Sequence, residues 1–177
     1  MSQKRNLQKK VTNSVGRIFK SDSDIANHLE KVVKFNRDAS KGITGGHNMD
    51  EFYNYMKNQL KLSESEFIEK ITKHLDIDGI YEITYKIPVK DIYGNLTGWY
   101  KIFKFPKTVY DTKVITTQEI IDWGKLALDS KDAVIKGRII DGVSPNGLKF
   151  RGYLNDAGEI TNFHPIFEGR WIKYGER

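Results

Sequence analysis

The sequence predicts an α+β fold, in which N-terminal helices are followed by an antiparallel sheet with one intervening helix. Apolar residues recur at helical spacing through residues 21–75. Two β-branched and aromatic runs then flank a turn-rich segment, and a capped helical pattern precedes three more short strands. Helices first and antiparallel strands afterwards indicate an α+β domain.

Three helices are predicted in the N-terminal part of the chain. Residues 21–24 offer N-caps for a helix that ends near Phe35. Residues 36–46 form a polar, glycine-bearing loop, after which Asn48 or Asp50 opens the second helix. The Ser-Glu-Ser-Glu run from Ser63 is a capping box for the third. The apolar residues that support these helices are Ile25, Leu29, Val32, Val33, Phe52, Tyr53, Met56, Phe67, Ile68, Ile71 and Leu75.

The predicted sheet begins with a hairpin. Residues 80–89 and 96–105 are rich in β-branched and aromatic side chains, and residues 91–95 between them are typical of a turn. Thr116 or Thr117 then caps a helix through Leu128, whose interior Gly124 weakens it. Further strands are predicted at residues 133–140, 148–154 and 159–163.

Composition narrows the class of protein. A chain of 177 residues can bury a core as one compact domain without covalent staples. Because it has no cysteine, disulfides, thiolate metal sites and a catalytic cysteine are excluded. No apolar run approaches the roughly 20 residues that span a bilayer, so no membrane span is expected.

The basic charge is concentrated at the N-terminus. The chain has 29 basic and 23 acidic residues, and residues 1–20 contain six basic residues and no acidic one, so the remainder carries 23 of each sign. This distribution favours a solvated arm or linker at 1–20, although contact with RNA or lipid headgroups stays open. The expected organisation is an arm at 1–20, a domain at 21–166 and a tail at 167–177.

His47 is the strongest candidate for a catalytic side chain. Gly45 and Gly46 precede it, and Asn48 opens a helix directly after it. Glycines let a ligand approach the backbone closely, and the helix fixes the side chain. The alternative is a histidine that caps the helix or is satisfied in the core.

The other histidines are weaker candidates. His28 lies at the border of the apolar stripe of the first predicted helix, which favours a structural role there. His74 is expected to interact with the C-terminus of a charged helix. His164 is predicted at an exposed strand end, because Pro165 should terminate the ladder there.

Lys107 follows an apolar strand and precedes Thr108. From that position a lysine can point back over the sheet and hold a phosphate group. Most lysines are simply solvated, so Lys107 gains its interest in combination with the histidines.

That combination resembles the EndoU family of ribonucleases, and specifically its bacterial toxin branch. The Gly-Gly-His-Asn run 45–48 with Phe52-Tyr53 is similar to the family's second-histidine motif. Residues 144–154 and 158–165 are similar to its closing hairpin, and Lys107 occupies the place of the catalytic lysine. The resemblance covers about residues 28–166.

The chain departs from the family pattern at three positions. The family's first histidine stands where this chain has Val32, and His28 is the nearby histidine that would replace it. The closing motif carries Asn162 in place of threonine and His164 in place of tyrosine. An electrostatic role for the missing histidine could also have passed to Lys34, Arg37 or Lys41.

The resemblance implies a metal-independent endoribonuclease, with manganese stimulation left open. Cleavage by the RNA's own 2′-hydroxyl needs a base, an acid and a cation beside the phosphorane, and DNA would not be cut. The family precedent implies 2′,3′-cyclic phosphate products and a preference for uridine. The implied catalytic residues are His47, His28 and Lys107, and the implied substrate-binding residues are Gly46, Thr108, Asn162 and His164.

The resemblance also implies biological context. The domain would be the C-terminal toxin module of a larger delivered polypeptide, as in contact-dependent growth inhibition, acting in the target-cell cytoplasm and bound by a cognate immunity protein. Two alternatives remain, a non-catalytic RNA-binding module on the same fold and a metal-dependent nuclease. Asp76 and Asp78 would be metal ligands in the latter, although they are more typical of a charged turn.

Overall fold

The computed structural model describes residues 13–38 and 41–167. The chain folds into two compact units, one combining the described residues up to Leu29 with those from Thr116 onward, the other consisting of Glu30–Ile115. Positions 1–12 of the predicted arm and 168–177 of the predicted tail lie outside the described residues. Within the described part, no helix is long and apolar enough to cross a membrane.

Both units combine helices with antiparallel strands, which confirms the predicted α+β class. The helices are α1 (Asp22–Glu30), α2 (Met49–Asn54), which continues as a π-helical turn over Tyr55–Gln59, α3 (Glu64–Phe67) and α4 (Thr117–Leu128). The strands are β1 (Val32–Phe35), β2 (Ile43–Gly45), β3 (Ile68–Lys73), β4 (Ile80–Lys90), β5 (Leu96–Ile102), β6 (Lys107–Tyr110), β7 (Val134–Lys136), β8 (Ile139–Val143), β9 (Lys149–Leu154) and β10 (Ile160–Ile166).

The sheet of the second unit is organised around the long strand β4. It pairs with β3 on one side and with β5 and β6 on the other, all antiparallel, while β1 and β2 form a separate pair. Alternate residues Ile83, Tyr85 and Ile87 are buried, as expected of a strand with one face on a core. The predicted β4–β5 hairpin is confirmed.

Aromatic rings fill the core of the second unit. Phe52 of α2 packs edge-to-face on Phe67 and Tyr85, with ring centroids 6.1 and 5.5 Å apart. The ring of Tyr85 stacks on Phe103 at 4.7 Å. The core thereby joins the helix after His47 to the central strand of the sheet.

In the first unit, α4 packs on a sheet of order β10-β9-β8-β7. Thr116, one of the two residues predicted to cap α4, is its N-cap and forms a capping box with Glu119. Gly124 is required by packing, since a Cβ there would lie 2.0 Å from the ring of Phe163. The residue that weakens the helix locally therefore allows the helix to approach the sheet closely.

The described end of the predicted arm is hydrogen-bonded within the first unit. Arg17 donates from its guanidinium to the carbonyls of Leu128 and Ser130, and its backbone N–H donates to the carboxylate of Asp129. The backbone N–H of Lys20 donates to Ile160. This stretch is therefore bonded to the end of α4 and to β10.

The first predicted helix is too long. It ends at Glu30, and Val32 and Val33 belong to strand β1, which pairs with β2 inside the predicted 36–46 loop. Both valines fit helical spacing after Leu29, but β-branched side chains also suit a strand. Pairing with β2, which lies beyond a loop and outside the window of local spacing, selects the strand over the helix.

The third predicted helix is wrong beyond its first turn. Helix α3 ends at Phe67, and the residues from Ile68 pair with β4 as strand β3. Leu75, predicted on the apolar stripe, is 98% exposed. His74 therefore does not cap a helix, and its Nδ1 instead accepts backbone N–H groups of Asp76 and Ile77, both at 3.1 Å.

The strand predicted at 133–140 is two strands. β7 and β8 pair antiparallel on either side of Gly137, whose φ of 60° lies in the left-handed region that favours glycine. The run appears continuous in the sequence because the two strands are joined by a two-residue turn, in which Gly137 is the one residue typical of turns.

Candidate active site

His47 lies where the sequence predicted, immediately before the N-cap of α2. Asn48 caps that helix by accepting N–H groups of Asp50 and Glu51. Gly45 and Gly46 have φ values of 73° and 62°, which a residue with a side chain rarely adopts. The glycines and the cap fix the backbone on both sides of His47, whose side chain is 5% exposed.

A hydrogen bond to strand β6 determines which imidazole nitrogen can exchange protons. His47 Nδ1 lies 2.8 Å from the carbonyl oxygen of Thr108. A carbonyl can only accept, so Nδ1 carries the hydrogen and, in the neutral ring, Nε2 is the basic nitrogen. The backbone carbonyl of Thr108 thus orients the ring of His47. Catalytic and metal-ligating histidines are usually oriented in this way, by a hydrogen bond from the ring nitrogen that does not react.

Lys107 opens strand β6 and is 6% exposed. Its ammonium donates to the carbonyl of Ile43, at the start of β2, over 3.4 Å. In return, the backbone N–H of Tyr110 donates to the carbonyl of His47 at 2.9 Å. Hydrogen bonds therefore join the segment that carries His47 to the segment that carries Lys107.

Tyr85 and Gly42 hold this arrangement in place, and neither was predicted to do so. The hydroxyl of Tyr85 donates to Lys41 O at 2.7 Å and accepts from Ile43 N–H at 2.9 Å. Burial raises the pKa of Tyr85 to about 12, so it stays neutral and able to donate. A Cβ on Gly42 would lie 2.5 Å from that hydroxyl, so the loop needs glycine there.

One signal in the sequence could have pointed to Tyr85. It stands between Ile83 and Ile87 on the buried face of a predicted strand. A phenol buried there needs a hydrogen-bond partner, and a polar loop segment is the usual source.

The position of the family's missing histidine lies beside the His47 motif. Val32 is the register partner of Gly45, and a Cβ on Gly46 would come within 2.7 Å of its Cγ2 atom. Lys34, on the same strand, pairs with Thr44 and is exposed. A side chain at position 32 thus contacts the glycines that precede His47.

The predicted site residues are divided between the two units. Gly46, His47, Lys107 and Thr108 all belong to the second unit, where the structure brings their segments together. His28 belongs to the first unit, on α1, where it is half-buried next to Leu29.

Asn162 and His164 also belong to the first unit, on β10. The expectation of an exposed strand end at His164 is wrong, since that residue is 8% exposed and β10 continues through Pro165 to Ile166. β10 is the edge strand of its sheet, where a proline without an N–H group is tolerated.

Two hydrogen bonds fix the ring of His164. Its Nδ1 lies 2.9 Å from the carbonyl oxygen of Pro165, so Nδ1 donates. Its Nε2 lies 3.2 Å from the hydroxyl of Tyr153 on the neighbouring strand, and that hydroxyl donates to the neutral ring. The contact between Tyr153 and His164 was not predicted, because it depends on the pairing of β9 with β10.

Beside this pair lies an ion pair that the sequence did not predict. Arg151, the register partner of His164, donates from Nε and Nη2 to the buried carboxylate of Asp141, both at 2.9 Å. The hydrogen bonds to Asp141 raise the pKa of Arg151. On the same strand as His164, the buried Asn162 Oδ1 accepts no hydrogen bond from the described residues.

Asp78, one of the two aspartates suggested as metal ligands, contacts a lysine. Asp78 forms an ion pair with Lys73 at 3.1 Å. Among residues 13–38 and 41–167, no three histidine, aspartate or glutamate side chains are grouped closely enough to hold a metal ion.

Comparison with known proteins identifies the family. A tRNA nuclease CdiA of Yersinia mollaretii is 40% identical over 147 residues, which are 80% of this chain and 5% of that protein. A tRNA nuclease CdiA of Escherichia coli strain STEC_O31 is 32% identical over 144 residues, 78% of this chain and 4% of that protein. An uncharacterized MscS family protein of Helicobacter pylori is 27% identical over 143 residues, 76% of this chain and 22% of that protein.

The chain therefore spans a small part of the curated relatives that it matches. The family model described as bacterial EndoU nuclease matches residues 19–167. This match includes the His47 turn, Lys107 and the closing strands, and it confirms the resemblance predicted from those motifs. The chain belongs to the bacterial EndoU nuclease family.

Proposed function

We propose that this chain is a metal-independent endoribonuclease that cuts RNA through attack of the RNA's own 2′-hydroxyl, leaving a 2′,3′-cyclic phosphate. The observation that carries the proposal is the joined pair of segments bearing His47, with Nδ1 held by Thr108, and the buried Lys107. The two CdiA relatives are named tRNA nucleases, so tRNA is the proposed substrate class.

His47 would act through Nε2 as the general acid or base. The hydrogen bond to Thr108 keeps this nitrogen basic in the neutral ring and fixes the ring plane. Proton transfer from a fixed ring needs no reorientation during the reaction, which is the advantage of such a contact.

Lys107 would offset the negative charge that develops on the phosphorane. Its ammonium is buried and bonded to a neutral carbonyl, and a cation in such surroundings acts more strongly on a phosphate than one in water. Cleavage by this route requires no metal ion.

His28 is the proposed second proton-transfer group, because the position of the family's first histidine holds Val32. Gly46, Thr108, Asn162 and His164 are the proposed substrate-binding residues. The assignment of Asn162 and His164 follows the family's closing motif, in which they stand in place of threonine and tyrosine.

We further propose that the chain is the toxin module of a larger delivered polypeptide, acting in the cytoplasm of a target cell and bound by a cognate immunity protein. The support is that most of this chain matches only 5% and 4% of the length of two CdiA proteins, as a module of a longer polypeptide would.

The test is incubation of the purified protein with end-labelled tRNA, in parallel with and without excess chelator. We expect cleavage, with products that carry a 2′,3′-cyclic phosphate. Binding without cleavage would instead indicate a non-catalytic RNA-binding module. Cleavage that chelator abolishes would indicate a metal-dependent nuclease.

A further inference from the structure

The β4–β5 hairpin exposes several large apolar side chains to solvent. Tyr93 is 82% exposed, Trp99 76% and Leu96 68%. We call the exposed apolar side chains of this hairpin the aromatic platform, and they are Ile92, Tyr93, Leu96, Trp99, Tyr100 and Ile102. Trp99 and Tyr100 are consecutive residues of β5, so their rings point to opposite faces of the hairpin, and the platform has two faces. Exposed apolar side chains concentrated on one short hairpin mark an interaction site more often than apolar residues scattered singly.

The backbone under the platform is firmly hydrogen-bonded. Asp91 Oδ1 accepts the N–H groups of Tyr93 and Asn95, both at 2.9 Å, and the Asp91 N–H donates to Asn95 O at the same distance. Thr97 Oγ1 donates to the carbonyl of Val89 across the hairpin at 2.9 Å. The side chains are therefore held in solvent by an ordered turn, which lowers the entropic cost of binding.

The charge around the platform favours an anionic partner. Residues 86–105 contain four lysines and one acidic residue, whereas the whole chain from residue 21 onward is neutral overall. That one acid is Asp91, whose Oδ1 is engaged by the turn. The Lys86 ammonium lies 4.7 Å from the centroid of the Tyr100 ring and 2.8 Å from Glu69.

Aromatic rings interleaved with lysines suit a nucleic acid better than a protein. Bases stack on exposed aromatic side chains while basic groups neutralise the phosphates. Protein interfaces are also rich in aromatic residues, but lysine is depleted from them. The combination at this hairpin therefore favours single-stranded RNA.

The platform is separate from the His47 and Lys107 segments but lies on the same sheet. Lys107 pairs with Ile83 of β4, and Tyr100 pairs with Pro88 of the same strand. Five residues of a strand correspond to about 17 Å. An RNA bound at Lys107 would reach the platform with a different part of its chain.

We infer that the aromatic platform is a second RNA-binding site, at which an unpaired base of the substrate stacks on the exposed ring of Trp99. The inference rests on the proposed function, since it takes RNA as the substrate. It assigns the platform to substrate affinity and not to chemistry.

Binding of a tRNA transcript to a His47→Ala protein tests the inference without cleavage. Adding Trp99→Ala should raise the Kd about tenfold, the order expected for losing one stacked base. Adding Trp99→Phe should restore most of the affinity, because a ring remains. Leu75→Ala is the matched control, since Leu75 is 98% exposed and lies outside the hairpin.

Lys90→Glu provides a second variant at an exposed position, and it should weaken binding and reduce its salt dependence. In the active protein, Trp99→Ala should raise KM for tRNA about tenfold and leave kcat unchanged. For a dinucleotide, which is too short to reach the platform, both constants should stay the same.

An unchanged Kd in the Trp99→Ala and Lys90→Glu variants would overturn the inference and leave the platform as a protein contact. Failure of His47→Ala protein to bind tRNA at all would overturn it too. Binding that depends on Trp99 in a wild-type protein that does not cleave would contradict the proposed function and support the platform.

Discussion

Replacing His47 by alanine is expected to slow RNA cleavage at least about a hundredfold, the usual scale for losing a general acid or base. This loss corresponds to about 2.7 kcal/mol of transition-state stabilisation. The physical reason is that Nε2 of His47, kept basic by the bond from Nδ1 to Thr108, would no longer be there to move a proton. Initial rates at saturating tRNA measure the effect on kcat.

His74→Ala is the control for this variant. His74 accepts two backbone N–H groups in a turn and has no assigned part in catalysis, so the rate should stay near that of the wild type. A fall of less than about threefold in the His47→Ala protein would mean that the site is misplaced.

Replacing Lys107 by methionine is expected to reduce kcat by about a hundredfold to a thousandfold, as for loss of one preorganised group that stabilises developing charge. Methionine keeps an unbranched apolar stem in the buried position at the start of β6 and removes the cation. The effect should fall on kcat, because the negative charge on the phosphorane exceeds that on the bound substrate.

Lys113→Met supplies the matched control, because Lys113 is exposed and lies beyond the end of β6. Thermal unfolding of both variants separates loss of structure from loss of chemistry. A Lys107→Met protein that unfolds like the wild type and keeps its kcat would remove Lys107 from the mechanism.

The sequence predicted those parts of the site that depend on neighbouring residues. The His47 turn was visible because its glycines, its N-cap and the helix are contiguous in the chain. The N-cap of α4 at Thr116 was visible for the same reason. Local patterns of this kind fix backbone conformation within a few residues.

The sequence did not predict contacts that form between distant segments. Tyr85 anchors the loop before His47 across 42 residues of sequence, and Asp141 meets Arg151 across a strand pair. Strand β3 was mistaken for a helix because the three-residue spacing of Ile68 and Ile71 fits a helical period, and its pairing with β4 decided the outcome. Secondary structure that depends on a distant partner cannot be assigned from spacing alone.

The proposed mechanism requires the 2′-hydroxyl of the RNA to be the nucleophile. The most direct test compares two otherwise identical oligoribonucleotides in excess chelator, one of which carries a single 2′-deoxy nucleotide on the 5′ side of the mapped cleavage site. We expect the all-ribose strand to be cut there and the 2′-deoxy strand to stay intact at that bond, since no internal nucleophile remains. Equal cleavage of both strands would contradict the claim and point to an activated water as the nucleophile.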